Sequence, residues 1–141
     1  MADNIYNEVL IDHNLHPIHL HELPCATCSN AGLNPTCGDS LTLNLVIKDG
    51  VITDGSYTGV GCAISNASAD IMLDLVIGRS VEEAKQLGEL FSKMIRGSIT
   101  DEELEVLEEA GALQNISKMP ARVKCATLGW KTLDKLLAEN G

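Results

Sequence analysis

The sequence predicts an α+β fold in which a small antiparallel sheet of two to three strands packs against about five helices. Residues 40–48 alternate between apolar and polar side chains, an Asp49-Gly50 turn signal follows, and a second strand-like stretch comes next. This combination is typical of a β-hairpin. On both sides of the hairpin, apolar residues recur three and four positions apart, as in amphipathic helices. The order of helix, strands and then helices favours a helical layer on one sheet.

The composition limits the classes of function that need to be considered. The chain has 141 residues and a formal net charge of −10, and we expect one domain over residues 1–141. The acidic balance argues against nucleic acid or an anionic membrane surface as the main partner. Neither a signal-peptide pattern nor an apolar run of the roughly 18 residues that span a bilayer is found. We therefore expect a cytoplasmic protein whose five cysteines are reduced.

The first half of the chain is expected to supply one helix and the hairpin. The helix is predicted over residues 3–15, before Pro17. Residues 16–34 show little periodicity, and we interpret them as a loop. The first strand is predicted over residues 40–48 and its antiparallel return over residues 51–60.

The second half is expected to be helical. Ser80 and Thr100 each begin a capping-box sequence, which marks the start of a helix. The predicted helices cover residues 63–77, 80–97, 100–110 and about 124–139, with a connector over residues 112–119. The acidic residues between positions 101 and 109 are interpreted as a solvated helix face.

Three cysteines and one aspartate stand near the ends of the predicted elements. Cys37 and Asp39 come just before the first strand and Cys62 just after the second, so the hairpin would bring them to the same edge. Cys125 stands near the predicted start of the last helix. Three thiolates and one carboxylate suit a borderline ion such as zinc. We therefore predict that Cys37, Asp39, Cys62 and Cys125 bind one metal ion.

The alternative is that these cysteines are ordinary buried residues, since free cysteine is among the most buried residue types. Their positions at the ends of elements argue against this alternative. Gly38, Gly59 and Gly61 lie beside them and permit tight turns and close backbone approach.

Cys25 and Cys28 form a CxxC pair, with His19 and His21 just upstream. The pair could form a second zinc site or a redox pair. The spacing of the histidines and cysteines matches no common zinc motif, and no predicted strand precedes the pair, although a strand usually precedes redox CxxC motifs. We favour a flexible surface loop. His13, on the first helix, is interpreted as a histidine with satisfied hydrogen bonds rather than as a ligand.

Three segments of the chain resemble one known family. They are residues 34–39 (Asn-Pro-Thr-Cys-Gly-Asp), residues 59–65 (Gly-Val-Gly-Cys-Ala-Ile-Ser) and residues 122–128 (Arg-Val-Lys-Cys-Ala-Thr-Leu). Together they resemble the IscU/SufU family of iron–sulfur cluster assembly proteins, which is NifU N-terminal-like, and this resemblance implies a SufE/NifU-like fold. Lys124 stands where scaffold-type members carry a histidine, and residues 97–116 resemble the insertion of the SufU branch.

The resemblance implies a zinc-dependent sulfur acceptor. Cys37, Asp39, Cys62 and Cys125 correspond to the zinc ligands of the family. Cys37 corresponds to the residue that receives persulfide sulfur from a SufS-type cysteine desulfurase, after a histidine of that enzyme displaces it from zinc. A SufBCD-type assembly complex is a further partner that the resemblance suggests.

Two other functions remain open at this point. The same residues could hold a [2Fe-2S] iron–sulfur cluster that is assembled on this protein and passed to apo-proteins. The protein could also be a non-catalytic adaptor that zinc stabilises.

Overall fold

The computed structural model describes residues 8–35 and 38–140 and has the α+β architecture expected from the sequence. A three-stranded antiparallel sheet has the order β1-β2-β3. Its strands are β1 (Cys28–Asn34), β2 (Asp39–Lys48) and β3 (Val51–Val60). The helices are α1 (Glu8–Leu15), α2 (Ala63–Val76), α3 (Val81–Ile95), α4 (Asp101–Val106) and α5 (Pro120–Asn140), with a 3₁₀ segment (Glu108–Lys118) before α5. Within the described ranges, no helix is long and apolar enough to cross a membrane.

The predicted β-hairpin is confirmed with nearly its expected bounds. Strands β2 and β3 pair antiparallel from Ser40 opposite Val60 to Lys48 opposite Val51. Asp49 and Gly50 have φ values of 51° and 77°, the left-handed conformation that a tight hairpin turn requires. This turn fixes the register, so the first residues of β2 lie beside the last residues of β3.

The prediction of a loop over all of residues 16–34 is wrong for its second half, because Cys28–Asn34 forms β1 and pairs with β2. The more buried positions of this strand carry small or polar residues, so the sequence has no apolar alternation to reveal it. The strand is stabilised by contacts with elements that are distant in sequence. It pairs with β2 on one edge and packs against α5, where Gly32 allows close approach of Thr132.

The last helix begins earlier than expected. It starts at Pro120 rather than near residue 124. Proline suits the first position of a helix, because its fixed φ is already helical and its missing N–H has no partner to lose there. Cys125 therefore lies inside α5, and the prediction that all three site cysteines stand at element ends is wrong for this one.

The remaining helices agree with the sequence apart from their bounds. Both predicted capping boxes form, at Ser80 with Glu83 and at Thr100 with Glu103. Helix α4 is shorter than expected, and the predicted connector is largely the 3₁₀ segment. Helix α1 confirms the end of the first predicted helix, whereas its expected start over residues 3–7 lies outside the described residues.

Helix α2 is the central helix of the structure. It contacts α1, α3, α5, β3 and the 3₁₀ segment, and most of its residues are buried. Even polar positions on it are inside, and the hydroxyl of Ser68 donates to the backbone oxygen of Ala126 in α5 at 2.6 Å. The predicted apolar faces of α2, α3 and α5 are confirmed as core. This packing fixes the N-terminus of α2 against the end of the hairpin and against α5.

Candidate metal centre

One cluster of metal-binding side chains lies where β2 begins and β3 ends. A carboxylate oxygen of Asp39 and the sulfur atoms of Cys62 and Cys125 lie within 4.8 Å of one another. Asp39 and Cys125 are 3% and 0% exposed, and Cys62 is half-buried. Three of the four predicted ligands are thus close together. The fourth, Cys37, lies outside the described residues and is two positions before Asp39 in the sequence.

The hairpin register and two glycines bring Asp39 to the start of α2. Ser40 lies opposite Val60, so Asp39 is beside the segment that leads from β3 into α2. A Cβ atom on Gly59 would lie 2.0 Å from the backbone oxygen of Ser40. A Cβ atom on Gly61 would lie 2.2 Å from the Ser65 hydroxyl and 3.4 Å from Oδ1 of Asp39. The close approach therefore requires glycine at both positions.

The start of α2 favours negative charge at this centre. Cys62 is the N-cap residue of α2, and its side chain makes no capping hydrogen bond. Its backbone N–H donates instead to Oδ1 of Asp39 at 2.9 Å. The N-terminus of a helix carries partial positive charge, which stabilises a nearby carboxylate and promotes thiolate formation. The sulfur of Cys62 is not occupied in capping and can bind a metal ion.

Asn34 is a residue of this centre that sequence reasoning missed. It is 4% exposed and lies opposite Asp39 in the β1–β2 pairing. Its side-chain amide donates to Oδ2 of Asp39 at 3.1 Å and to the sulfur of Cys125 at 3.6 Å. Its position at the start of the 34–39 segment was the available signal. Asn34 therefore orients two of the three clustered donors.

The donor set fits a zinc ion. Zinc binds cysteine sulfur at about 2.3 Å and carboxylate oxygen at about 2.0–2.2 Å, so two of its ligand atoms are at most about 4.6 Å apart. The 4.8 Å limit on the spacing of the Asp39, Cys62 and Cys125 donors is close to this span. Both oxygens of Asp39 also accept N–H bonds, which orient the carboxylate and leave each oxygen a second lone pair for a metal ion. A carboxylate binds a borderline ion less strongly than a thiolate does, so Asp39 suits a ligand that can exchange.

Cys25 and Cys28 do not belong to the cluster of Asp39, Cys62 and Cys125. Cys25 is exposed in a turn, and Cys28 is half-buried at the first position of β1. Burial raises the pKa of the Cys28 thiol, which disfavours its thiolate. Among the described residues, neither cysteine belongs to a group of three or more potential metal ligands. These observations favour a non-ligand role for the pair over a zinc site. The expected flexible loop is wrong for Cys28, which lies in β1 and pairs with β2.

The fold and the site together define a class: small α+β proteins that gather cysteines and an aspartate at the end of a β-hairpin. The model of the NifU-like N terminal domain family matches residues 5–138. The chain belongs to this family, as its resemblance to IscU and SufU proteins implied.

Relatives named SufU and relatives named IscU are both similar in sequence to this chain over nearly its whole length. Zinc-dependent sulfurtransferase SufU of Bacillus subtilis is 37% identical, covering 97% of this chain and 92% of the relative. Iron–sulfur cluster assembly scaffold protein IscU of Thermotoga maritima is 41% identical, covering 94% of this chain and 92% of the relative. The crystal structure of SufU from Fervidobacterium islandicum, described as an assembly scaffold for the SUF system, superposes with a TM-score of 0.88. It is 33% identical and covers 94% of this chain and 96% of its own.

Proposed function

We propose that this protein is a zinc-dependent sulfur acceptor that takes persulfide sulfur from a SufS-type cysteine desulfurase for iron–sulfur cluster biogenesis. The observation that carries the proposal is the convergence of Asp39, Cys62 and Cys125, with Cys37 two positions before Asp39 in the sequence. The similarity to a relative named as a zinc-dependent sulfurtransferase supports the same function.

The proposal assigns Cys37, Asp39, Cys62 and Cys125 as the zinc ligands. Zinc, when bound, keeps thiols deprotonated near neutral pH and shields them from oxidation. Asp39 is proposed as the ligand that makes one coordination position exchangeable, because a carboxylate binds a borderline ion less strongly than a thiolate does. It is not proposed as a proton-transfer base.

Sulfur transfer on Cys37 is proposed as a thiolate exchange. The Cys37 thiolate attacks the outer sulfur of the protonated enzyme persulfide, a new S–S bond forms, and the old S–S bond breaks. Cys37 becomes a persulfide, and the desulfurase cysteine leaves as a thiolate, so charge and electrons balance. This chemistry requires reduced thiols, and we accordingly propose a cytoplasmic location. A SufBCD-type assembly complex is proposed as a further partner on the basis of the family resemblance.

The proposal is tested by the Cys37→Ala variant in a desulfurase assay with a SufS-type enzyme. We expect loss of stimulated turnover with an unchanged far-UV circular dichroism spectrum, because the attacking thiolate is gone. Cys25→Ala is the matched control, since it removes an exposed thiol of the neighbouring loop and should leave stimulation intact. Unchanged stimulation by Cys37→Ala would remove Cys37 from the mechanism.

A scaffold for a [2Fe-2S] cluster is the second candidate, favoured by the similarity to the Thermotoga maritima IscU scaffold. Clustered cysteine sulfurs also suit iron–sulfur ligation. Anaerobic reconstitution with iron and sulfide, followed by visible absorbance, separates the two functions. A stable cluster that transfers to an apo-ferredoxin would favour scaffolding, whereas retention of zinc under these conditions favours sulfur transfer.

We also propose that residues 1–141 form one domain. The family match over residues 5–138 and the core that α2 shares with α1, α3 and α5 support this proposal.

A further inference from the structure

A second group of metal-binding side chains lies between α1, α2 and the 3₁₀ segment. One ring nitrogen of His13 and one carboxylate oxygen from each of Asp74 and Glu109 lie within 4.8 Å of one another. Asp74 comes twelve positions after Cys62 in the sequence. At the rise of an α-helix, this separation along α2 is about 18 Å. The group is therefore separate from the cysteine centre, and nothing in the proposed function uses it.

His13 is held in the orientation that a metal-binding histidine needs. It is 5% exposed, and its Nδ1 lies 2.6 Å from Oδ2 of the fully buried Asp70. The other oxygen of Asp70 accepts the backbone N–H groups of Ile18 and His19 at 3.0 and 2.8 Å. The fixed carboxylate keeps Nδ1 engaged and leaves Nε2 facing Glu109, 3.0 Å away. Metal-ligating histidines almost always donate their other ring N–H to a partner of this kind.

Further donors lie on the solvent side of His13. The side chains of Asp74 and Glu109 are 45% and 54% exposed, so they can adjust to an ion. Nε2 of His19 lies 3.4 Å from Oδ1 of Asp74, although His19 is not one of the three clustered residues. A small cleft of about 40 Å³ beside the group is lined by Asp74 and Glu109 but not by His13.

The charges of the group also favour a cation. Asp70 and Asp74 stand one turn apart on α2, an arrangement in which like charges repel. The guanidinium of Arg79 pairs at 3.0 Å with Glu108, the residue before Glu109, and so neutralises Glu108.

A proton on Nε2 of His13, shared with Glu109, competes with a metal ion for this position. Burial lowers the pKa of His13, but its bonds to Asp70 and Glu109 outweigh this effect and raise it above 6.5.

We propose that His13, Asp74 and Glu109 bind one divalent transition-metal ion. Imidazole and carboxylate donors without thiolate suit borderline to hard ions such as Mn²⁺ and Zn²⁺. The bound ion connects α1, α2 and the 3₁₀ segment, which are far apart in sequence. Binding to the folded state alone would also stabilise the protein by mass action.

Manganese binding measured by electron paramagnetic resonance tests this site, because thiolates have little preference for Mn²⁺. We expect the wild-type protein to remove one equivalent of free Mn²⁺ signal per chain. Asp74→Asn and Glu109→Gln should each weaken this binding by about tenfold or more, since loss of even an outer-shell partner commonly costs that much. Both side chains are about half exposed, so the amide variants should fold, which circular dichroism would check.

Two control variants make the outcome specific. Glu108→Gln removes the same charge from the adjacent residue, whose partner is Arg79, and should retain Mn²⁺ affinity. Cys62→Ser alters the cysteine centre and should also retain it, so this test is independent of the proposed sulfur-transfer function. Absence of Mn²⁺ binding by the wild type would overturn the proposal and leave His13 as a buried ion-pair partner. An equal loss in Glu108→Gln would also overturn it, because binding would then be a property of the acidic surface.

Discussion

Asn34 connects two donors of the candidate metal centre through a single side-chain amide. One nitrogen, Nδ2, lies 3.1 Å from Oδ2 of Asp39 and 3.6 Å from the sulfur of Cys125. Because an amide N–H is neutral, it stabilises negative charge on both donors without competing for the metal. Residues that orient ligands in this way commonly contribute 10–100-fold to metal affinity, as an order of magnitude.

At the residue scale, we therefore expect Asn34→Ala to weaken zinc binding by roughly 10–100-fold. The measurement is competition for zinc with a chromophoric chelator. Asn30→Ala is a matched control, because Asn30 lies on the same strand and its Nδ2 has no partner among the described residues. Equal zinc affinity of the two variants would contradict the positioning role of Asn34.

At the scale of elements, local signals account for what could be predicted. The Asp49-Gly50 turn and the capping boxes at Ser80 and Thr100 each act over about four residues, and the structure confirms all three. Strand β1 was missed because its stability comes from pairing with β2 and packing on α5, contacts that its own sequence does not encode. The hairpin predicted the approach of Asp39 and Cys62, whereas the approach of Cys125 on α5 and the role of Asn34 on β1 depend on packing between elements that are distant in sequence.

The packing of β1 on α5 gives a prediction at this scale. A Cβ atom on Gly32 would lie 2.2 Å from Oγ1 of Thr132, so Gly32→Ala should destabilise the protein by about 1–3 kcal/mol through overpacking. Chemical denaturation measures this change in the free energy of unfolding.

The double variant Gly32→Ala with Thr132→Ala removes the nearest clashing atom and should recover part of the lost stability. Gly88→Ala is the control, because its Cβ would meet only Trp130 at 4.0 Å and alanine favours the helix. Equal stability of Gly32→Ala and the wild type would contradict this packing.

At the scale of the whole molecule, the region that resembles the SufU insertion is part of the shared core. Leu107, Ala110, Leu113 and Ile116 are all 0% exposed, although this region carries a dense run of acidic residues. The 3₁₀ segment contacts α1, α2, α3 and α5. The sequence indicated the solvated acidic face but not this buried stripe, because a 3₁₀ helix repeats every three residues rather than every 3.6. The region should therefore unfold together with the rest of the protein.

Leu113→Ala tests this cooperative role. Removing a fully buried leucine side chain leaves a cavity, so we expect a loss of about 2–5 kcal/mol in the free energy of unfolding. Fluorescence of Trp130 in α5 and far-UV circular dichroism should then shift to the same lower denaturant midpoint, since one core is lost in one step. Val106→Ala is the control in the same region, where a side chain that is 48% exposed should change stability by no more than about 0.5 kcal/mol. Two outcomes would contradict this role: a stability of Leu113→Ala equal to that of Val106→Ala, or a lower circular dichroism midpoint with an unchanged Trp130 midpoint. In either case the region would be an appended layer rather than a part of the core that supports the metal centre.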